Sequence, residues 1–248
     1  MSATTASQAR ARTDGRERDR LDAATRVVVQ PIAAPSILGL FGFASATFMV
    51  STHMAGWYGT PVSPLYLFPF AAMFGGVAQF LAGMWSYRAR DGLGTAMHGM
   101  WGSFWIAYGI LFLLVAVGAI TVPARGAFPE LGYWFLTLSA ITIAGAVAAT
   151  GESLGLFSVL AVLAVGAALA AVHYLVGGTG WLNAAGWVLF ASSVLAYYTA
   201  AAFLLEGAFG RTVLPLGKPF RREANIPGER ATEVTGFPHG EPGVRRGQ

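Results

Sequence analysis

Apolar residues in this chain gather into six long runs separated by short polar or glycine-rich punctuation. The runs cover about 35–55, 65–87, 94–119, 131–150, 154–176 and 183–206. A bilayer's hydrocarbon core is about 30 Å thick, and an α-helix needs about 20 apolar residues to cross it. Each run is long enough, so the pattern predicts an all-α membrane protein with six transmembrane helices. The connectors fit this reading. Gly56 to Pro64 is rich in Gly and Pro, and Tyr87-Arg88-Ala89-Arg90-Asp91-Gly92 is charged. Pro123 to Pro129 carries Arg125, Gly151-Glu152-Ser153 is a minimal turn, and Gly177-Gly178-Thr179-Gly180 is uncharged. Flanking residues 1–32 and 218–248 are polar and charged, and are expected to be disordered tails around a transmembrane domain at 33–217.

Charge sets the orientation. Only 11% of the 248 residues are charged, against about 25% in soluble domains. Twelve of the sixteen Lys and Arg lie at or before Arg26 or at or after Lys218. With the N-terminus inside, the inner regions hold fifteen of the sixteen, and only Arg125 falls outside. Cytoplasmic loops carry the excess of Lys and Arg. Both termini are therefore expected to be cytoplasmic, in a multi-pass protein of the inner (plasma) membrane. The basic tails follow from this topology, so no nucleic-acid partner is inferred. Trp57, Trp85, Trp134 and Trp181 fall near helix ends, as an interfacial belt requires. Trp101, Trp105 and Trp187 lie deeper. The absence of cysteine excludes disulfides, thiol catalysis and Cys-ligated metal.

No Asp, Glu, Lys or Arg lies well inside any run. Membrane pumps keep such residues because they need them. Their absence argues against a carboxylate-relay pump or a cage for a bare metal ion. It favours a small solute on a narrow path of polar and aromatic groups. Candidate stripes appear at helical spacing. They are Gly39, Phe43, Ala46, Val50 and His53 in the first run, Ala72, Gly76, Gln79, Gly83 and Tyr87 in the second, Gly94, His98, Trp101, Trp105 and Tyr108 in the third, and Asn183, Gly186, Phe190, Ser193 and Tyr197 in the sixth. Small residues at this spacing also serve plain helix packing. Depth narrows the choice. The first, third and fifth helices start on the same side, and Phe43, Trp101 and Leu163 each lie about eight residues in, roughly 12 Å at about 1.5 Å per residue. If these helices surround a pore, the three side chains form one constricting layer; ordinary packing is the other reading. His53 and His173 sit near the opposite ends of their helices, where imidazoles sense acid or simply face the interface. The histidine spacing suits neither zinc nor haem, and no nucleotide motif or catalytic constellation is present. No cofactor, metal or enzymatic activity is expected.

Four stretches carry a family resemblance. They are Pro35-Ser36-Ile37-Leu38-Gly39-Leu40 with Gly42-Phe43, Phe74-Gly75-Gly76-Val77-Ala78-Gln79-Phe80-Leu81-Ala82-Gly83 with Tyr87, Gly102-Ser103-Phe104-Trp105, and Phe209-Gly210-Arg211-Thr212-Val213-Leu214-Pro215-Leu216-Gly217. In this order and spacing the chain resembles the acetate uptake transporter family, the SatP/YaaH-like acetate–succinate permeases. The resemblance implies a homo-oligomer, hexameric in the family, with one pore per protomer. It implies transport of acetate or a similar short monocarboxylate, with succinate as a further substrate, in a proton-coupled or channel-like manner. The family's Phe–Tyr–Leu constriction falls on Phe43, Trp101 and Leu163. The signature residues present are Pro35, Leu38, Gly39 and Leu40, while Ala34 and Ile37 replace the family's Asn and second Pro, and Trp101 its Tyr. Gln79, Asn183 and His53 are the polar candidates along the path. Two alternatives stay open: ammonium or another small solute, and a non-transporting membrane sensor or scaffold of the same fold.

Overall fold

A computed structural model of the chain describes residues 33–121 and 129–217. The predicted tails and Arg125 lie outside the described residues. Six helices are long and apolar enough to cross a membrane: α1 Pro35–Met54, α2 Ser63–Ala89, α3 Gly92–Ala116, α4 Pro129–Ala149, α5 Leu154–Val176 and α6 Thr179–Phe209. Their ends differ from the apolar runs because the groups that start and stop a helix are polar or glycine. Pro35 opens α1, where its missing N–H is not needed. Asp91 caps α3 by accepting from the Gly94 N–H at 2.7 Å, and Ser153 caps α5 by accepting from Leu156 at 3.2 Å. Gly177 and Gly178 take positive φ, so α6 starts at Thr179, ahead of its apolar run.

Within α2 the pattern is interrupted. Pro69 sits inside the helix, and Ala71–Ala78 winds as a π-helix. Proline removes one N–H and crowds the preceding turn, so the ladder is re-registered there. The wide turn brings Gly75 so close to Ala46 and Trp105 that an added Cβ would lie 2.6 Å from one and 2.7 Å from the other.

Helix neighbours are α1 with α2 and α6, α2 with α3, α4 with α5, and α5 with α6. Small residues make this closeness possible: Ala44, Ala46, Ala71, Ala167, Ala170, Ala185 and Ala196 are wholly buried. In a bilayer such packing takes the place of hydrophobic drive between helices. Trp57, Trp85, Trp134 and Trp181 remain half exposed, whereas Trp101 and Trp105 are buried. Trp187 faces outward and packs on Trp57, with ring centroids 5.1 Å apart.

Beyond α6 the chain folds back. Leu216 accepts a hydrogen bond from the Gly155 N–H in the first turn of α5 at 2.8 Å, and the Tyr198 hydroxyl donates to the Pro215 carbonyl at 2.8 Å. Between their described residues, α5 comes within 8 Å of neither α1 nor α3, measured Cα to Cα. Side chains from these three helices line the space between them.

Candidate functional site

Two cavities occupy that space. The larger, of about 330 Å³, is lined by Thr47, Val50, Ser51 and His53 of α1, Trp101, Phe104, Trp105 and Tyr108 of α3, and Leu163, His173 and Tyr174 of α5. The smaller, of about 30 Å³, lies toward the helix starts and is lined by Ser36 and Leu40, Asp91 and His98, and Glu152, Leu156 and Leu160. On each of the three helices the small cavity's residues come first and the large cavity's later. The change falls at Phe43, Trp101 and Leu163.

These three side chains are 2%, 3% and 1% exposed, so the layer between the cavities is closed. Phe43 and Trp101 meet edge to face, with centroids 6.1 Å apart and an interplanar angle of 69°. The Trp101 Nε1–H donates to Thr142 Oγ1 of α4 at 3.0 Å, and that hydroxyl donates to the Leu138 carbonyl at 2.6 Å. The indole is thereby fixed, and its N–H is engaged by α4. The donor that Trp101 brings in place of the family's Tyr is spent on the wall and is not offered to a solute.

Donors for a solute lie elsewhere. Thr47 Oγ1 and Trp105 Nε1 both belong to the large cavity's lining, and both are buried with no partner among the described residues. A buried donor left unpaired costs about 1–3 kcal/mol, so such groups call for a ligand or water. Phe104, Phe135 and Tyr174 add an aromatic wall; Phe104 and Phe135 lie 5.2 Å apart, and Phe135 stacks parallel on Tyr174 at 5.7 Å. At the far end, His53 Nδ1 donates to the Tyr58 carbonyl at 3.2 Å and His173 Nδ1 to the Gly178 carbonyl at 3.0 Å. A carbonyl can only accept, so Nδ1 carries the hydrogen and Nε2 is the acceptor of each neutral ring.

Not every predicted position joins the cavities. Gln79 is buried at 2%, and its Oε1 has no partner among the described residues, yet it lines neither of them. Asn183 is exposed, and its neighbour Leu182 lines the large cavity. Leu38 is 48% exposed, whereas Leu40 lines the small cavity. Pro35 is buried at the start of α1. Gly39 has a clear reason to be glycine, because a Cβ there would lie 2.5 Å from the His98 ring. Tyr87, at the end of its stripe, is 67% exposed.

The small cavity contains two carboxylates that helix patterns did not single out. Asp91 is buried, and burial raises its pKa against the lowering effect of hydrogen bonds from Gly94 and Ser36. Glu152 is pushed up to about 7, first by burial and then by the nearby Asp91 charge. His98 Nδ1, also in this lining, is buried without a partner among the described residues.

The same architecture occurs in known proteins. A solved chain titled as the bacterial acetate channel SatP matches with a TM-score of 0.69 at 27% identity, over 75% of this chain and 99% of that one. The succinate-acetate/proton symporter SatP of Escherichia coli K12 is 30% identical over 191 residues, 75% of this chain and 96% of the relative. The acetate transporter protein patA of Aspergillus clavatus is 26% identical over 221 residues, 82% and 85% of the two chains. The Saccharomyces cerevisiae ammonia transport outward protein 2 is 26% identical over 176 residues, covering 70% of this chain and 62% of the relative. Residues 20–215 match the family model, and with six membrane-spanning helices and this breadth of likeness the chain belongs to the GPR1/FUN34/yaaH family.

Proposed function

We propose that this protein passes acetate, or a similar short monocarboxylate, across the plasma membrane along the axis of the two cavities. One observation carries the reading: on α1, α3 and α5 alike, a closed apolar layer separates two cavities, and the larger holds unpartnered donors at Thr47 and Trp105. A carboxylate accepts such hydrogen bonds without needing a fixed cation, and the aromatic wall accommodates the short alkyl end. Likeness to acetate and succinate-acetate transporters supports the same substrate class.

Phe43, Trp101 and Leu163 act as the gate, and His53 with His173 stands at the mouth of the large cavity. The Lys and Arg distribution supports cytoplasmic termini, which makes the large cavity the outer vestibule and the small one the inner. Gln79 backs the path from α2, and Asn183 marks its outer rim on α6. Each chain carries its own path, so a homo-oligomer, hexameric by the resemblance, would multiply paths rather than build one.

The test is labelled-acetate uptake into liposomes holding the purified protein, with and without an inward proton gradient. Uptake above empty liposomes is expected, with Phe43→Ala and Trp101→Ala raising flux and weakening discrimination between solutes. Unchanged flux and selectivity in both variants would remove the gate assignment. A second reading, ammonium, is favoured by the carboxylates at the inner vestibule and by the yeast relative. Competition of ammonium against labelled acetate separates the two.

A further inference from the structure

A path for carboxylates that ends between two carboxylates poses a physical conflict. Asp91 and Glu152 line the same small cavity, directly beneath the closed layer. At an effective dielectric constant near 20, a unit charge still interacts strongly with another a few ångströms away. An ionised pair would therefore repel each anion at the point of passage. Asp91 has a structural duty, because its Oδ1 accepts from the Gly94 N–H at 2.7 Å and Ser36 Oγ donates to Oδ2 at 3.4 Å. Glu152 has no such duty; its backbone N–H donates to the Ala149 carbonyl at 3.0 Å, but its carboxylate makes no hydrogen bond to another described residue. His98 supplies an independent sign of a ligand: it is 6% exposed, lines the cavity, and its Nδ1 has no partner among the described residues.

Resting on the transport reading above, we propose that Glu152, backed by Asp91, sets the charge selectivity of the inner vestibule, admitting carboxylates while the pair holds a proton and rejecting anions, dianions most strongly, once it does not. The titratable lining is Asp91 and His98 from the α3 side and Glu152 from the α4–α5 turn; α1 contributes only Ser36 and Leu40. Arg88 stands in the last turn of α2, and Arg90 in the connector that carries Asp91. Burial together with the Asp91 charge places the Glu152 transition near neutrality, where a cell's internal pH can act on it. The repulsion energy scales with the solute's charge, so at an ionised site the fold-loss for a dianion is about the square of that for a monoanion, and the fraction of sites still protonated caps the loss in total flux.

The test compares wild type with Glu152→Gln in liposomes at equal pH on both sides, with voltage clamped by potassium and valinomycin. Labelled acetate and labelled succinate are the probes. The ratio of variant to wild-type flux is expected to stay near one at pH 6. At pH 8, where about a tenth of the wild-type sites still hold the proton, it should rise to about fivefold for acetate and about tenfold for succinate. In parallel, infrared difference spectra should show a protonated carboxyl band that titrates near neutral pH in wild type and is lost in the variant. A purely structural role would not move either pH profile. A ratio that is flat with pH for both solutes, in folded variant protein beside active wild type, overturns the proposal and leaves the transport reading standing. Absence of wild-type acetate flux overturns both.

Discussion

The hydrogen bond that holds Trp101 in the proposed gate can be tested apart from transport. Thr142→Val keeps the shape of the side chain and removes the oxygen that accepts the Trp101 Nε1–H at 3.0 Å. Thr142 also donates to the Leu138 carbonyl, but that group belongs to the helix ladder, so its loss matters less. Trp101 is only 3% exposed, which leaves its N–H without ready solvent. Trp101→Phe removes the donor instead. Interhelical hydrogen bonds in membrane proteins couple by about 0.6 kcal/mol on average and about 1.7 at most. A pair this buried and this short belongs in the upper half, at about 1–1.5 kcal/mol. The two single variants and the double, unfolded in mixed micelles, give the coupling energy directly. If the single effects simply add, to within about 0.3 kcal/mol, the bond does not hold the indole and the fixed-gate argument fails.

Two further outcomes follow from the same geometry. Gly39→Ala should cost about 1–3 kcal/mol, because its new Cβ meets the His98 ring rather than a flexible chain end; His98→Ala in the same chain should restore most of it, and a Gly39→Ala protein as stable as wild type would contradict the contact. Stability should also fall with rising pH. Glu152 binds its proton more tightly folded than unfolded, so the contribution is complete below the ordinary glutamate value and is lost as pH rises through about 7. Asp91 acts in the same direction. Melting temperatures in detergent at pH 5 and pH 8 should show the drop, and Glu152→Gln should flatten most of it.

The six spans were legible because membrane crossing is a matter of apolar length, which composition along the chain records directly. The Phe43–Trp101–Leu163 alignment was legible because odd-numbered helices start on one side and rise at a common rate. Helix rotation was harder to read. Every face of a membrane helix is apolar, so nothing in composition says that Leu182 rather than Asn183 turns to the cavity. The π-helical turn left Pro69 as its only local hint. Thr47 did not stand out, and Trp105 stood out only as a member of its stripe, since being unpartnered is a property of the packed bundle. Trp105 did fall within a recognised stretch, which was the available signal. Asp91 and Glu152 read as ordinary connector residues because their meeting depends on two loops far apart in sequence.

The turn-back after α6 changes what the chain's most recognisable phrase signifies. Its Leu216 carbonyl occupies an N–H at the start of α5, and Gly217 lies against Leu154. The phrase is thus a fastening: it anchors one wall of the path from outside the bundle, as a clasp does. A fastening is indifferent to what moves through the ring it closes. Chains can therefore keep this phrase intact while their cargo changes, and the residues that choose the cargo are to be sought at the cavities.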